Sequence, residues 1–356
     1  MLLGLRGVFC EYSGVREARF VGECADSAGS IQFFARSLQV LLAGELLGGL
    51  ILGTYATIAP TYASEVCPIA LRGHLTAYIN LCFVMGQLLA NGVIAGTQRL
   101  DNHWAYSAPF AIQWLWPLVI LIACPFAPES PWWLVRKGRL EDAQKSLDRL
   151  SSKEVDNKPT LAMMIETDRL ELEMETGTTY WDCFKQINLR RTEISIGVYT
   201  IQVFSGIYLV GYATYFFKRR SSPLPISHPL TSPTVAGLPG SKAFDMSVGY
   251  LAVGFLGTCL SWILLSKFGR RRIYNVGLAT LSLMMFLIAI LDCVPNYENR
   301  PSVIWAQSTI MVVWNGVYDL TIGPVCFAII CEVSATKVRG RTIAVATAVQ
   351  VRNCVL

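Results

Sequence analysis

The sequence predicts an all-α protein whose helices cross a membrane, and three observations carry that prediction. The first is composition. Of 356 residues, 53% are hydrophobic and 15% charged, with a mean hydropathy of +0.43, whereas charged residues make up about a quarter of an ordinary soluble domain. The second is arrangement. Apolar stretches of helix length alternate with polar hairpins, and in hydrocarbon such a stretch satisfies its own backbone hydrogen bonds only as a helix. The third is a repeat. Glu65-Val66-Cys67-Pro68-Ile69-Ala70-Leu71-Arg72-Gly73 returns as Glu332-Val333-Ser334-Ala335-Thr336-Lys337-Val338-Arg339-Gly340, identical at four of nine positions and again directly after an apolar stretch. A repeated frame with hydrophobic flanks is what duplicated halves of a membrane transporter show.

Residues 1–37 mix charge and glycine and stay unassigned; Arg6 interrupts Met1-Leu2-Leu3-Gly4-Leu5 before the apolar core of a signal peptide can form. From Leu38 to Pro60 the chain is almost wholly apolar, long enough at about 1.5 Å per residue to cross a hydrocarbon core of about 30 Å. Gly44 with Gly48, and Gly49 with Gly53, give this span two small-residue faces that let a second helix approach closely. Further spans are expected near 75–96, 108–127, 194–217, 246–265, 273–292 and 304–331, and another begins at Thr342. Between them, 38–127 and 194–356 read as two membrane parts, joined by a hydrophilic linker at 128–193 with short amphipathic helices.

Orientation follows from the basic residues. They crowd the hairpins at Arg72, Arg136-Lys137-Arg139, Lys185 with Arg190-Arg191, Lys267 with Arg270-Arg271-Arg272, and Lys337, Arg339 and Arg341; the hairpins at 97–107 and 293–303 carry one arginine each. The first set therefore belongs in the cytoplasm. The hairpin at 218–245 breaks the pattern, beginning Lys218-Arg219-Arg220 and continuing as a Pro/Ser/Thr-rich, linker-like tract. The net charge of +5 is spent on these hairpins, which fits a lipid bilayer as partner and argues against nucleic acid.

Enzyme chemistry has no foothold. The sequence lacks GxSxG, HExxH, P-loop and GxGxxG patterns, and His74, His103 and His228 are far apart. Eleven scattered cysteines contain no CxxC and read as small apolar residues, neither a disulfide framework nor a metal site. Trp132-Trp133, at a span end, reads as an interfacial pair.

Five ordered motifs carry a resemblance: Glu65 to Gly73, Pro128-Glu129-Ser130-Pro131-Trp132-Trp133-Leu134, Gln202 with Ser205-Gly206, Gly269-Arg270-Arg271, and Glu332 to Gly340. In this order they resemble the sugar porters of the major facilitator superfamily. Tyr62 to Pro68, Asn80-Leu81-Cys82, Pro109 to Trp114, Gly211 to Phe217, Phe244 to Ser247 and Tyr318 to Val325 are similar to the fungal α-glucoside (maltose-type) permeases among them. The resemblance covers about residues 31–356, except a tract near 219–242. It implies a bundle of major facilitator type in which this chain supplies equivalents of the family's fourth to tenth helices and a start on the eleventh, an incomplete set of about seven to eight. It implies proton-coupled symport of an α-glucoside by alternating access, in the plasma membrane, with a small sugar as partner and the proton as coupling ion; no other cofactor and no metal are expected. The alternatives are a facilitative hexose porter, a sugar receptor and a non-transporting fragment.

The resemblance also nominates residues. Asn80, Gln87 and Gln202 match positions that face sugar, and their amides suit an uncharged polyol. Tyr208 and Phe327 stand where many hexose porters have asparagine and tryptophan, so the pocket is expected to differ from a hexose site. Glu45 and Asp319 are acids within apolar spans, where a charge costs at least about 2.5 kcal/mol. They are the candidates for proton coupling, Glu45 first, with a structural role favoured for Asp319 beside the helix-breaking Gly323-Pro324. Glu65, Arg72, Glu129, Arg136, Arg270, Arg271, Glu332 and Arg339 are expected to form a cytoplasmic charge network that fastens one transport state.

Overall fold

The computed structural model describes residues 27–68, 71–97, 102–152, 155–173, 180–207, 240–293, 301–334 and 338–355. Among these, every regular element is helical. Six helical stretches are long and apolar enough to cross a membrane: Leu38–Val66, Gly73–Thr97, Tyr106–Ala123, Ser247–Lys267, Arg270–Asp292 and Trp305–Val333. The span expected at 194–217 is described only as far as residue 207, and Tyr208 and most of the Pro/Ser/Thr-rich tract lie outside the described residues. The expected last span is the helix Arg339–Val355, which starts a few residues earlier than its apolar content indicates. The chain divides into two compact units.

The first unit comprises the described parts of Met1–Thr76, Ser107–Tyr199 and Ile329–Val355. Its longest helix, α1 (Leu38–Val66), is capped by Ser37, whose hydroxyl accepts from the Val40 N–H. Pro60 lies inside α1 and the helix runs past it to Val66. The hydroxyls of Thr57, Thr61 and Ser64, on either side of it, are turned back onto the same helix, donating to the carbonyls of Gly53, Thr57 and Thr61. The helix α2 (Arg72–Thr97) begins in this unit. The expected span at 108–127 turns at Trp114, between α3 (Trp104–Gln113) and α4 (Leu115–Ala123).

Within this unit, part of the stretch expected to be a linker builds a buried apolar cluster. Helices α5 (Pro131–Arg136), α6 (Leu140–Leu150) and α7 (Lys158–Glu173) surround Trp132, Leu134, Val135, Ala143, Leu147 and Met164. This corrects the interfacial reading of Trp132: the ring is buried in that cluster, and Trp133 packs against it. Ser130 caps α5 with Pro131 at its first position, the arrangement a missing N–H and a preset φ favour. Gly138 closes it with φ 73°, its N–H and that of Arg139 bonding back to Val135 and Leu134. At the start of α6, the Arg139 guanidinium donates twice to Asp142 and holds that carboxyl below its ordinary range. After α7, a short helical turn, Tyr180–Phe184, packs against the last helix, α13 (Arg339–Val355). Cys183 is buried there, receiving the Thr342 hydroxyl on sulfur and the Thr192 hydroxyl on its carbonyl, and burial pushes its thiol up.

The second unit comprises the described parts of Ala77–Tyr106 and Thr200–Ala328. It holds most of α2, the end of α8 (Gln186–Gln202), and the helices α9 (Gly240–Lys267), α10 (Arg270–Asp292) and α11 (Pro301–Leu320), with α12 (Ile322–Val333) up to residue 328. Its tightest packing is a glycine seam between α9 and α11. A Cβ on Gly257 would lie 2.5 Å from the Gly316 carbonyl oxygen, and one on Gly316 would lie 2.8 Å from Val253 Cγ1. Small residues let helices meet backbone to backbone where no hydrophobic force drives them together. Asn315 Nδ2 crosses the seam to the Tyr250 carbonyl at 3.1 Å. Gly277 on α10 receives Thr321 in the same way. The break between α11 and α12 falls at Thr321, so Pro324 sits in the first turn of α12, where its missing N–H costs nothing.

Candidate functional site

Polar side chains of the second unit converge on one stretch of α11. Gln202 ends α8, just before a π-helical turn, Val203–Ile207, in which Gly206 takes φ 101°. Only glycine holds that backbone without strain, and Gly206 also packs on Met285 and Trp314. The turn stops the helix and leaves Gln202 buried at its end. Its Nε2 donates to the Tyr318 hydroxyl at 2.7 Å, and its Oε1 accepts from the Cys326 thiol at 3.4 Å. Tyr318 stacks on Trp314, with ring centroids 5.4 Å apart and planes 9° from parallel.

The next residue of α11 anchors a second set. Asp319 Oδ1 accepts from Asn80 Nδ2 at 3.2 Å, and the same amide reaches Thr258 Oγ1 at 3.4 Å. Asp319, Asn80 and Thr258 are buried. Room for them comes from glycines: Gly254 lies against Asp319 and Asn315, and Gly323 against the Asn80 amide. A buried amide is costly unless bonded, and here each amide has a named partner. The described hydrogen bonds of Asp319 join it to a neutral group.

The sequence candidates fare differently. Asn80, Gln202 and Asp319 come together in this unit. Gln87 lies on the same helix as Asn80, about two turns on, and is exposed. Phe327 is half-buried and stacks on Phe83 at 6.0 Å between centroids. Tyr208 lies outside the described residues. Glu45 belongs to the first unit, exposed on α1 beside Gly44, which packs against Gln32.

Part of the expected charge network forms within the first unit. Glu65 is buried; its Oε2 accepts from the Ser130 hydroxyl at 2.5 Å, and its Oε1 lies 3.6 Å from Arg136 Nη1. Arg339, also buried, donates to Ser64 Oγ at 3.3 Å, so the arginine of the second copy meets α1 at the residue next to the first copy's Glu65. Tyr62 donates to the Pro128 carbonyl at 2.7 Å, and Ser146 to that of Glu129. Glu129 thus contributes a backbone carbonyl, while Glu332 is exposed. Arg270 and Arg271 open α10 in the second unit, and the Arg72 side chain is outside the described set.

Sequence reasoning missed Tyr318, Cys326 and Thr258 in one cluster, and Ser64 and Ser130 in the other. Ser130 had a signal, since serine before proline opens a helix. Tyr318 and Cys326 had none, because a tyrosine and a cysteine in an apolar span read as packing.

Uncharged hydrogen-bonding side chains around one buried carboxyl can hold hydroxyl groups and a proton; among the described residues no three His, Cys, Asp or Glu side chains group to hold a metal. The family model for sugar (and other) transporters matches residues 11–354. The chain belongs to the sugar transporter family. Among curated relatives it is 35% identical to maltose permease MAL31 of Saccharomyces cerevisiae over 325 residues, and 34% identical to the general alpha-glucoside permease of that yeast over 326. Each match covers 89% of this chain but 50% and 49% of the relative, so the chain spans about half the length of the curated relatives it matches. Among solved structures, it is similar to the MFS proton:xylose symporter XylE bound to 6-bromo-6-deoxy-D-glucose, with a TM-score of 0.78 at 18% identity, covering 99% of this chain and 76% of that one. The inward-open xylose transporter XylE from E. coli gives a TM-score of 0.61 at 17% identity, covering 97% and 71%. These likenesses show the major facilitator fold, incomplete relative to a full member. The sugar transporter family comprises membrane carriers, not enzymes.

Proposed function

We infer that this chain contributes the binding and coupling side chains of a proton-coupled α-glucoside symporter that works by alternating access in the plasma membrane. The observation that carries the reading is the buried pair of clusters on α11: Gln202 on Tyr318, and Asn80 with Thr258 around Asp319. A sugar is neutral and rich in hydroxyls, so amides, a phenol and a threonine suit it. A carboxyl inside a span, held by uncharged partners, is a group that can carry a proton with the sugar. Asp319 is therefore the preferred coupling residue, ahead of Glu45 on the exposed face of α1. The maltose and α-glucoside relatives support the substrate class, and Phe327, stacked on Phe83 in place of the usual tryptophan, supports a site unlike that of a hexose porter.

Alternating access needs both halves of the family's bundle. The test is a chimera in which residues 31–355 replace the matched half of maltose permease MAL31, expressed in yeast without its own α-glucoside permeases. The reading predicts saturable uptake of labelled maltose, little uptake of glucose, and loss of accumulation with a protonophore. Glucose uptake indifferent to the protonophore would favour a facilitative hexose porter, and a membrane-inserted chimera that moves neither sugar would contradict the reading.

A further inference from the structure

The Gln202 carboxamide is held at both ends. Tyr318 Oη accepts from Nε2 at 2.7 Å, and the Cys326 thiol donates to Oε1 at 3.4 Å. Tyr318 precedes the break at Thr321 and Cys326 follows it, so the two grips come from separate helices, α11 and α12. Cys326 is fully buried, and Tyr318 and Gln202 nearly so. The Tyr318 hydroxyl can meet either end of the carboxamide, as acceptor or as donor, so it holds the group in place, whereas the Cys326 thiol sets its orientation: turned over, the carboxamide would lose the S–H···O bond and set its NH₂ against sulfur, a weak acceptor.

The surrounding groups are rich in donors. The Tyr318 hydroxyl receives the amide proton, and its own proton has no acceptor among the described residues. Trp314, stacked on it, buries an indole N–H that likewise has no partner there. A buried donor without an acceptor is costly, so this stack fits a ligand that brings acceptor oxygens.

We propose that Tyr318 and Cys326 are positioning residues that clamp the Gln202 carboxamide in one orientation, and that this clamp sets the site's preference for the acceptor oxygens of a glucoside. The inference rests on the reading of Gln202 as a sugar contact. Cys326 acts through Gln202 as a small apolar body with a single donor, which alanine lacks and serine keeps.

The test is equilibrium binding of radiolabelled maltose to the chain in lipid nanodiscs, with thermal unfolding of every variant alongside. Gln202→Ala is expected to weaken binding at least about tenfold, and Cys326→Ala and Tyr318→Phe about threefold to tenfold, the range expected of single hydrogen bonds. Cys326→Ser is expected to restore affinity to within about twofold of the unsubstituted chain, with unfolding temperature unchanged across the Cys326 variants. Rescue by serine separates positioning from packing, because alanine and serine fill nearly the same space. If Gln202→Ala weakens binding while Cys326→Ala and Tyr318→Phe leave it intact, the clamp is overturned and the sugar site stands. If Gln202→Ala binds normally, or the unsubstituted chain does not bind maltose, the sugar site is overturned and the clamp with it.

Discussion

At the scale of single residues, Glu65 is the side chain with the most to lose. It is buried between the Ser130 hydroxyl and the Arg136 guanidinium, and hydrogen bonds to a charged group contribute about 1.5–3 kcal/mol. Glu65→Gln is expected to destabilise the chain by about 1–3 kcal/mol, read from its thermal unfolding in nanodiscs. Ser130→Ala removes the cap of α5 as well as the bond to Glu65, and is expected to cost about 1–2 kcal/mol. Because Glu65→Gln removes the charge from the same hydrogen bond that Ser130→Ala removes outright, their effects should fall short of additive in the double variant; full additivity would show that the charge adds no energy to that contact. The cysteines give a second check. Cys183 is buried with its thiol pushed up, whereas Cys293 is exposed at the end of α10. At neutral pH a maleimide should therefore label Cys293 in the folded chain and reach Cys183 only after denaturation, since the thiolate is the reacting form. The repeat pointed to Glu65 and Arg339 from sequence alone. Their serine partners were not legible, because a hydroxyl's role depends on which helix its own helix meets.

At the scale of elements, the helices were legible and their contacts were not. Hydropathy marked α1, α2, α9, α10 and the α11–α12 pair, since length and apolar content are local properties. The seam between α9 and α11 depends on which glycines face each other, and one glycine in a span looks like another. Space distinguishes them. A Cβ on Gly257 would press on the Gly316 carbonyl, whereas a Cβ on Gly249 in the same helix meets nothing within 4 Å. Gly257→Ala is expected to destabilise by about 1–3 kcal/mol through overpacking, and Gly249→Ala to leave stability unchanged or raise it slightly, because alanine favours a helix. Thermal unfolding of the two variants side by side checks the seam, and equal behaviour would contradict it. Helix breaks were legible in part: the Gly323-Pro324 pair marked a discontinuity, but the chain turns at Thr321, because proline is easily accommodated in the first turn of the following helix.

At the scale of the whole molecule, five ordered motifs were enough to predict the family, and the match over residues 11–354 bears that out. They also predicted a bundle shorter than a full member, in agreement with coverage of about half of the maltose permease. The candidate site was legible in part. Asn80, Gln202 and Asp319 stand out in the sequence because polar groups in an apolar span are costly, and the structure brings them into one unit; Tyr318 and Cys326 do not stand out, since their contacts with Gln202 exist only once α8 meets α11 and α12. The central claim is that Asp319 carries the proton that drives the sugar, within the cluster that holds it. The most direct measurement compares Asp319→Asn with the unsubstituted protein in the maltose permease chimera, following net accumulation and exchange of labelled maltose across the same membranes. The account predicts that Asp319→Asn abolishes accumulation against a gradient, makes any remaining uptake indifferent to external pH, and preserves exchange, because asparagine keeps the hydrogen bond to Asn80 but cannot cycle a proton. Accumulation by Asp319→Asn at the unsubstituted level, with its pH dependence intact, would contradict it.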